Sequence, residues 1–164
     1  RKESSAASDV YKRQTQFYAP QATEDGILLG WMGMPAQDDT PTQGWVHTLT
    51  LPRRIWLEGD YLHQEPLWSA LPETHGREGF GSTIDIKGEG SFALIDAAGD
   101  EAFRVTQRDG TISFNGGEPI DCPDGEMRLI ADGCAVEVYA GGGRIAASFA
   151  VFGESPWQGW EPRG

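Results

Sequence analysis

An all-β fold is predicted for this 164-residue chain on three observations. Short apolar or alternating segments recur along it, each too short for a typical helix. Turn signals built on Gly, Asp and Asn separate these segments every ~8–12 residues. The composition agrees: Gly 22, Pro 10 and Trp 6 suit aromatic strands joined by frequent turns.

The first strands follow one another closely. Phe17-Tyr18-Ala19-Pro20 reads as a short strand entering a turn. Glu24-Asp25-Gly26 supplies hairpin chemistry, since Gly tolerates a positive φ. Ile27 to Met32 (ILLGWM) is a continuous apolar run, the pattern of a strand buried on both faces. After a loop from Met34 to Gln43, Gly44 to Leu51 (GWVHTLTL) alternates, with Trp45, Leu49 and Leu51 apolar, until Pro52 stops it. Ile55-Trp56-Leu57, a Gly59-Asp60 turn and Tyr61-Leu62 make a further hairpin. Antiparallel strands of this number and size form one propeller blade, which needs neighbours to bury both faces.

Gln64 to Gly79 reads as a connector anchored by Leu67, Trp68 and Leu71. Seven strands are expected beyond it: 82–87, 91–96, 102–107, 111–115, 127–131, 135–140 and 144–152. Gly88-Glu89-Gly90, Gly99-Asp100, Asp109-Gly110, Gly116-Gly117, Asp132-Gly133 and Gly141-Gly142-Gly143 supply turns. This spacing predicts a β-sandwich. The division is therefore 15–63 for the blade, 64–78 for the connector and 79–164 for the sandwich. Residues 1–14 (RKESSAASDVYKRQ) show no strand or amphipathic pattern, resemble translated sequencing-adapter sequence and read as a non-native tail.

Charge limits the partners. With 25 Asp+Glu against 13 Lys+Arg the net charge is -12, which argues against nucleic acid. No apolar run approaches the ~20 residues of a membrane helix. His47, His63 and His75 are scattered and no metal-ligand spacing occurs, so no metal is expected. Cys122 and Cys134 read as unpaired thiols of a reducing cytoplasm, although spacing alone leaves a disulfide open. Cytoplasmic location is the matching expectation.

Three phrases, FYAPQ from Phe17, LLGWMGMP from Leu28 and GWVHTLTLPRR to Arg54, stand in an order and spacing that resemble glycoside hydrolase family 32. That family contains invertases, sucrose-6-phosphate hydrolases and fructan-degrading β-fructosidases. A weaker resemblance extends through Arg128–Asp132, Ala135–Tyr139 and Ala146–Phe152 to the closing hairpin of the family's sandwich. Two departures stand out: Gly133-Cys134-Ala135 replaces a Ser-rich turn, and the Asp-Arg-Ser phrase is missing from the middle strands.

The resemblance implies the last blade of a five-bladed propeller followed by the C-terminal sandwich. It also implies sucrose, sucrose 6-phosphate or a fructan as substrate, retention of configuration and no cofactor. The family carries its Asp nucleophile, ring-holding Asp and Glu acid/base in Asn-Asp-Pro, Arg-Asp-Pro and Glu-Cys phrases, none of which occurs in this sequence. No catalytic residue is therefore assigned, and the chain is expected to require the N-terminal blades of its parent. Asp121-Cys122-Pro123 stands downstream of FYAPQ, in the wrong order for the acid/base phrase, and reads as a loop. Asp38-Asp39 reads as a solvated turn.

What the resemblance leaves here is substrate wall. Tyr18 and Trp31 match aromatic residues beside the family's sugar pocket, and an aromatic face suits the apolar face of a furanose. Ordinary blade packing is the alternative for both rings. Gln16 stands where the family has Asp. Arg53 is expected to clamp the blade through backbone or carboxylate contacts, and Glu137 to face solvent or the propeller interface. The rival reading is a non-catalytic carbohydrate-binding or structural sandwich, with Trp157 and Trp160 as exposed tail aromatics.

Overall fold

The computed structural model describes residues 16–33, 47–67, 81–123, 125–152 and 156–164. The tail at 1–14, Asp38-Asp39, Trp45, Trp68, Leu71 and His75 lie outside the described residues. Within them the chain is all-β, with fourteen strands and one 3₁₀ turn, Gly141–Gly143.

The first sheet holds β1 (Tyr18–Ala22), β2 (Ile27–Met32), β3 (Thr48–Leu49), β4 (Arg53–Glu58) and β5 (Tyr61–Pro66). Its order is β1-β2-β4-β5, and β3 also pairs with β2. β2 thus meets β3 at Trp31 and Met32 and meets β4 at Ile27 and Leu28. All pairings are antiparallel, as short turns require. β5 runs to Pro66, past the expected boundary at 63.

The apolar run 27–32 is not buried on both faces as expected. Leu28, Gly30 and Met32 are buried, while Trp31 is 46% exposed. The strand's period of two decides this: one face meets the sandwich and the other is open.

The sandwich has nine described strands where seven were expected. One sheet is β10-β9-β8-β7-β14 and the other is β13-β12-β11-β6. The strands are β6 (Gly81–Lys87), β7 (Gly90–Asp96), β8 (Glu101–Arg108), β9 (Thr111–Phe114), β10 (Ile120–Asp121), β11 (Glu126–Asp132), β12 (Ala135–Ala140), β13 (Ile145–Ala150) and β14 (Trp157–Arg163). Leu94, Phe103, Val105, Ile112, Met127, Leu129, Val136 and Val138 fill the core between the sheets. Asp121, expected in a loop, ends β10, and the adjoining Cys122 is buried in that core.

β14 corrects the tail reading. Residues 157–163 return to pair with β7, Trp160 opposite Leu94. Trp160 is 9% exposed and meets Phe103 edge-on at 6.3 Å. Trp157 is half-buried, and its indole N–H donates to the Gly133 carbonyl at 2.6 Å. Burying a large ring outweighs its exposure as a sugar platform, because each aromatic removes ~150–250 Å² from water.

β12 is buried at all six positions. Val136, Val138 and Ala140 face the sandwich core. Ala135 and Tyr139 alternate to the other face, where they meet Met32 and Leu51 of the first sheet. The sandwich therefore has two apolar faces at β11–β13, and the blade covers the outer one.

Candidate substrate wall and the joint behind it

Tyr18 and Trp31 are brought together. They stand directly opposite each other in the β1–β2 ladder, so their side chains share a face. Both are about half exposed, at 51% and 46%. Leu49 of β3 faces Trp31 from the other side and is 56% exposed. The imidazole of His47 tilts against the indole, with centroids 5.2 Å apart. A row of Tyr18, Trp31 and Leu49 thus crosses three strands, with His47 at its corner.

The backbone beneath is irregular. The β1–β2 register shifts between Tyr18 and Gln21, and Ala19 has φ 42°, in the left-handed region. Bulges of this kind re-aim side chains beside functional surfaces. Gln16, at the head of β1, has a buried Oε1 that accepts no hydrogen bond.

Phe17 turns the other way. It is buried and lies over Gly30, where a Cβ would fall 2.3 Å from its ring. Beneath it is the Arg53 guanidinium, 4.8 Å from the ring centroid. Arg53 is fully buried and paired with Glu137 of β12, Nη2 to Oε2 at 2.6 Å. It also donates to Gln64 Oε1 at 3.1 Å and to the Ser148 hydroxyl. Glu137 further accepts from the Leu51 N–H at 2.6 Å and the Tyr139 hydroxyl at 2.7 Å.

Arg53 is thus the carboxylate clamp expected from the sequence, and Glu137 lies at the blade–sandwich joint rather than in solvent. Burial disfavours the charged guanidinium, but Glu137 and Tyr139 outweigh it and raise the Arg53 pKa. Burial and then Glu137 hold the Tyr139 phenol well above its ordinary value. Neither cysteine forms a disulfide and both are buried, and burial followed by Asp132 pushes Cys134 up to about 11.

A half-open cleft of about 240 Å³ lies beside this joint, between 48–52 and the outer face of β11–β12. Its buried polar groups are already engaged, Glu137 as above and Thr50 by accepting the Gly30 N–H at 3.0 Å. The cleft is a gap in packing; Leu49 at the end of the exposed row borders it, whereas Tyr18 and Trp31 do not line it. Among the described residues no His/Cys/Asp/Glu group could hold a metal, and no helix is long and apolar enough to cross a membrane.

The family model for the Glycosyl hydrolases family 32 N-terminal domain matches residues 3–66, ending where β5 ends. This part of the chain, through β5, belongs to glycoside hydrolase family 32. Its family relatives include the sucrose-6-phosphate hydrolase of Bacillus subtilis, 35% identical over 101 residues, which are 57% of this chain and 20% of that protein. A probable sucrose-6-phosphate hydrolase of Vibrio cholerae is 48% identical over 58 residues, 31% of this chain and 10% of that protein.

Among solved family 32 structures, the Bombyx mori β-fructofuranosidase superposes with a TM-score of 0.67 at 25% identity, over 88% of this chain and 38% of that one. The Lactobacillus gasseri sucrose-6-phosphate hydrolase shares the fold, with a TM-score of 0.62 at 16% identity over 89% of this chain and 39% of that one. The chain therefore spans well under half the length of these relatives. The family match begins inside the segment set aside as a tail, which lies outside the described residues.

His47, Leu49 and Gly33 belong to the exposed face but were not singled out in the sequence. The alternation of GWVHTLTL already puts His47 and Leu49 on one side. What the sequence lacked was the register placing that side next to Trp31.

Proposed function

We infer that this chain supplies the last propeller blade and the C-terminal sandwich of a retaining β-fructofuranosidase. The complete protein would cleave sucrose, sucrose 6-phosphate or a fructan and work in the cytoplasm. The observation that carries the reading is the exposed Tyr18–Trp31 pair, set side by side on one face by register, on a blade that matches the family. Tyr18 and Trp31 form part of the wall of the sugar pocket. The indole offers a flat apolar surface to the furanose ring, and the phenol offers a hydrogen bond to its hydroxyls.

The reaction requires a nucleophilic carboxylate and an acid/base carboxyl about 5–5.5 Å apart across the scissile bond. The phrases that carry them in the family are absent from this sequence, so the remaining blades of the parent provide them. General acid catalysis alone contributes ~10²–10⁴-fold, and the covalent step is lost with it. The purified chain is therefore expected to release no fructose from sucrose, sucrose 6-phosphate or inulin above buffer. Joined behind an upstream family 32 propeller, the same residues support turnover. There Trp31→Ala and Tyr18→Phe lower kcat/KM while the melting transition stays in place. Hydrolysis by the chain alone, or wild-type kinetics in both joined variants, defeats the reading.

The rival is a sandwich module that binds sugar or only buttresses. Burial of Trp160 speaks against its binding form, while the Arg53–Glu137 joint fits a buttressing role within the enzyme reading as well.

A further inference from the structure

We propose that Gly33 and His47 complete the sugar wall, Gly33 by leaving a notch for a furanose hydroxyl group and His47 by bracing the indole beside it. The proposal rests on the reading of Tyr18 and Trp31 as substrate wall.

Gly33 follows Trp31 by two residues, so a side chain there would rise on the same face. An added Cβ would sit 3.6 Å from Trp31 Nε1 and 3.7 Å from Tyr18 Cδ2. Those are ordinary contacts, so nothing in the packing excludes alanine, and Gly33 is not among the residues of positive φ. The glycine at 30 differs, since a Cβ there would strike the Phe17 ring at 2.3 Å. Among the described residues, packing explains Gly30 and gives no reason for Gly33.

The absent Cβ leaves a small hollow at the point where Tyr18 and the polar edge of the indole approach each other. A flat aromatic face holds the apolar face of a sugar but does not orient it. A hollow beside an N–H donor supplies orientation, because a ring hydroxyl entering it can accept from Nε1. His47 stands across the indole, tilted 49° to it. An exposed indole otherwise samples several rotamers, and a ring packed against it reduces the ordering cost that binding must meet. Gly33 is thus a specificity residue and His47 a positioning residue that acts through Trp31.

The test joins the chain behind an upstream family 32 propeller whose nucleophilic Asp is replaced by Asn, and follows the Trp31 indole N–H resonance, assigned with Trp31→Phe, during titration with methyl β-fructofuranoside. Methyl β-galactopyranoside serves as the control sugar. The wild type is expected to show a saturable shift with the fructoside alone. Gly33→Ala should reduce that shift at least fivefold with an unchanged melting transition. His47→Ala should weaken the apparent affinity, and His47→Phe, which retains a ring against the indole, should restore it. Equal shifts in Gly33→Ala and wild type overturn the inference and leave the wall reading standing. A wild-type resonance that ignores the fructoside overturns both.

Discussion

The blade and the sandwich use the same kind of strand to opposite ends. In the sandwich, β7, β8, β11 and β12 turn alternate residues into a shared core, so the domain closes on itself. In the blade, β1 is exposed at all five positions, and Tyr18, Trp31, Leu49, Leu57 and Tyr61 stand in the open. The blade's buried residues face the sandwich: Met32 packs on Cys134 and Ala135, and Leu51 on Ile130, Tyr139 and Ala146. The sandwich's two sheets make a core between them, and the blade's single sheet borrows one. Stability in this chain is therefore local to the sandwich, while the surface that could meet substrate belongs to the part with least of it. Recognition surfaces are commonly drawn from the less stable end of a fold.

Amide exchange measures this contrast directly and carries the largest expected difference. β11 and β12 should exchange only on global unfolding, which for domains costs ~5–15 kcal/mol. β1, an exposed edge strand, should exchange through fraying at a small fraction of that. Equal protection in residues 17–33 and 126–140 would erase the distinction between the two regions.

Breaking the joint is the next largest effect. Glu137→Ala leaves the Arg53 guanidinium buried without its partner, a change that typically costs ~3–5 kcal/mol. Replacing both partners, as in Arg53→Met with Glu137→Leu, should recover most of the loss in urea unfolding, since buried pairs often add little net stability. The double variant should nonetheless alter the environment of Phe17, whose ring lies over Arg53. A Glu137→Ala protein as stable as wild type would mean that the blade is held by its apolar contacts alone.

Two glycines, Gly30 in β2 and Gly33 just past its end, sharpen the comparison at smaller scale. Gly30→Ala forces the buried Phe17 ring aside and should cost ~1–3 kcal/mol, as overpacking does. Gly33→Ala, on the open face, should leave the midpoint of urea unfolding where it is. A neutral Gly30→Ala would show that Phe17 has room to move and that the blade's inner face is looser than its geometry indicates.

Most of the architecture was legible in the sequence because strand signals are local. ILLGWM and AVEVYA end where β2 and β12 end, and the Gly-Asp turns mark the hairpins. Two things were not legible. β14 gains its identity only by pairing with β7, a contact some sixty residues away in sequence. Its tryptophans therefore read as a free tail. Trp31 lies in a continuous apolar run, and only the identity of the covering sheet decides which face is open. Glu137 gave a partial signal, as the one charge inside an otherwise apolar strand, the usual mark of a buried pair. Its partner could be found only once the blade was laid on the sandwich. At the proposed wall, Tyr18 and Trp31 came from the family phrases, whereas Gly33 and His47 needed the β1–β2–β3 register.

The smallest expected effect concerns acid, and it separates the sandwich's outer face from its far edge. Asp132, at the end of β11 beside the joint, has its carboxyl pKa raised above the ordinary 3.8 by burial and then by Glu137. The folded protein therefore holds that proton more tightly than the unfolded chain. Its contribution to stability is fully present below the unfolded pKa and is lost as pH rises through the folded one. Asp85 behaves oppositely. The bidentate hydrogen bond from Arg128 lowers its pKa, so its contribution is present above about 3.8 and is lost as pH falls. Both side chains are solvent-accessible, so screening keeps each effect to about 0.5 kcal/mol or less. Urea unfolding from pH 3 to 7 should show Asp132→Asn losing stability relative to wild type toward the acid end. Asp85→Asn should gain relative to wild type there. Parallel curves for Asp132→Asn and wild type would mean that the joint leaves this carboxyl as accessible to water as the sandwich's far edge leaves Asp85.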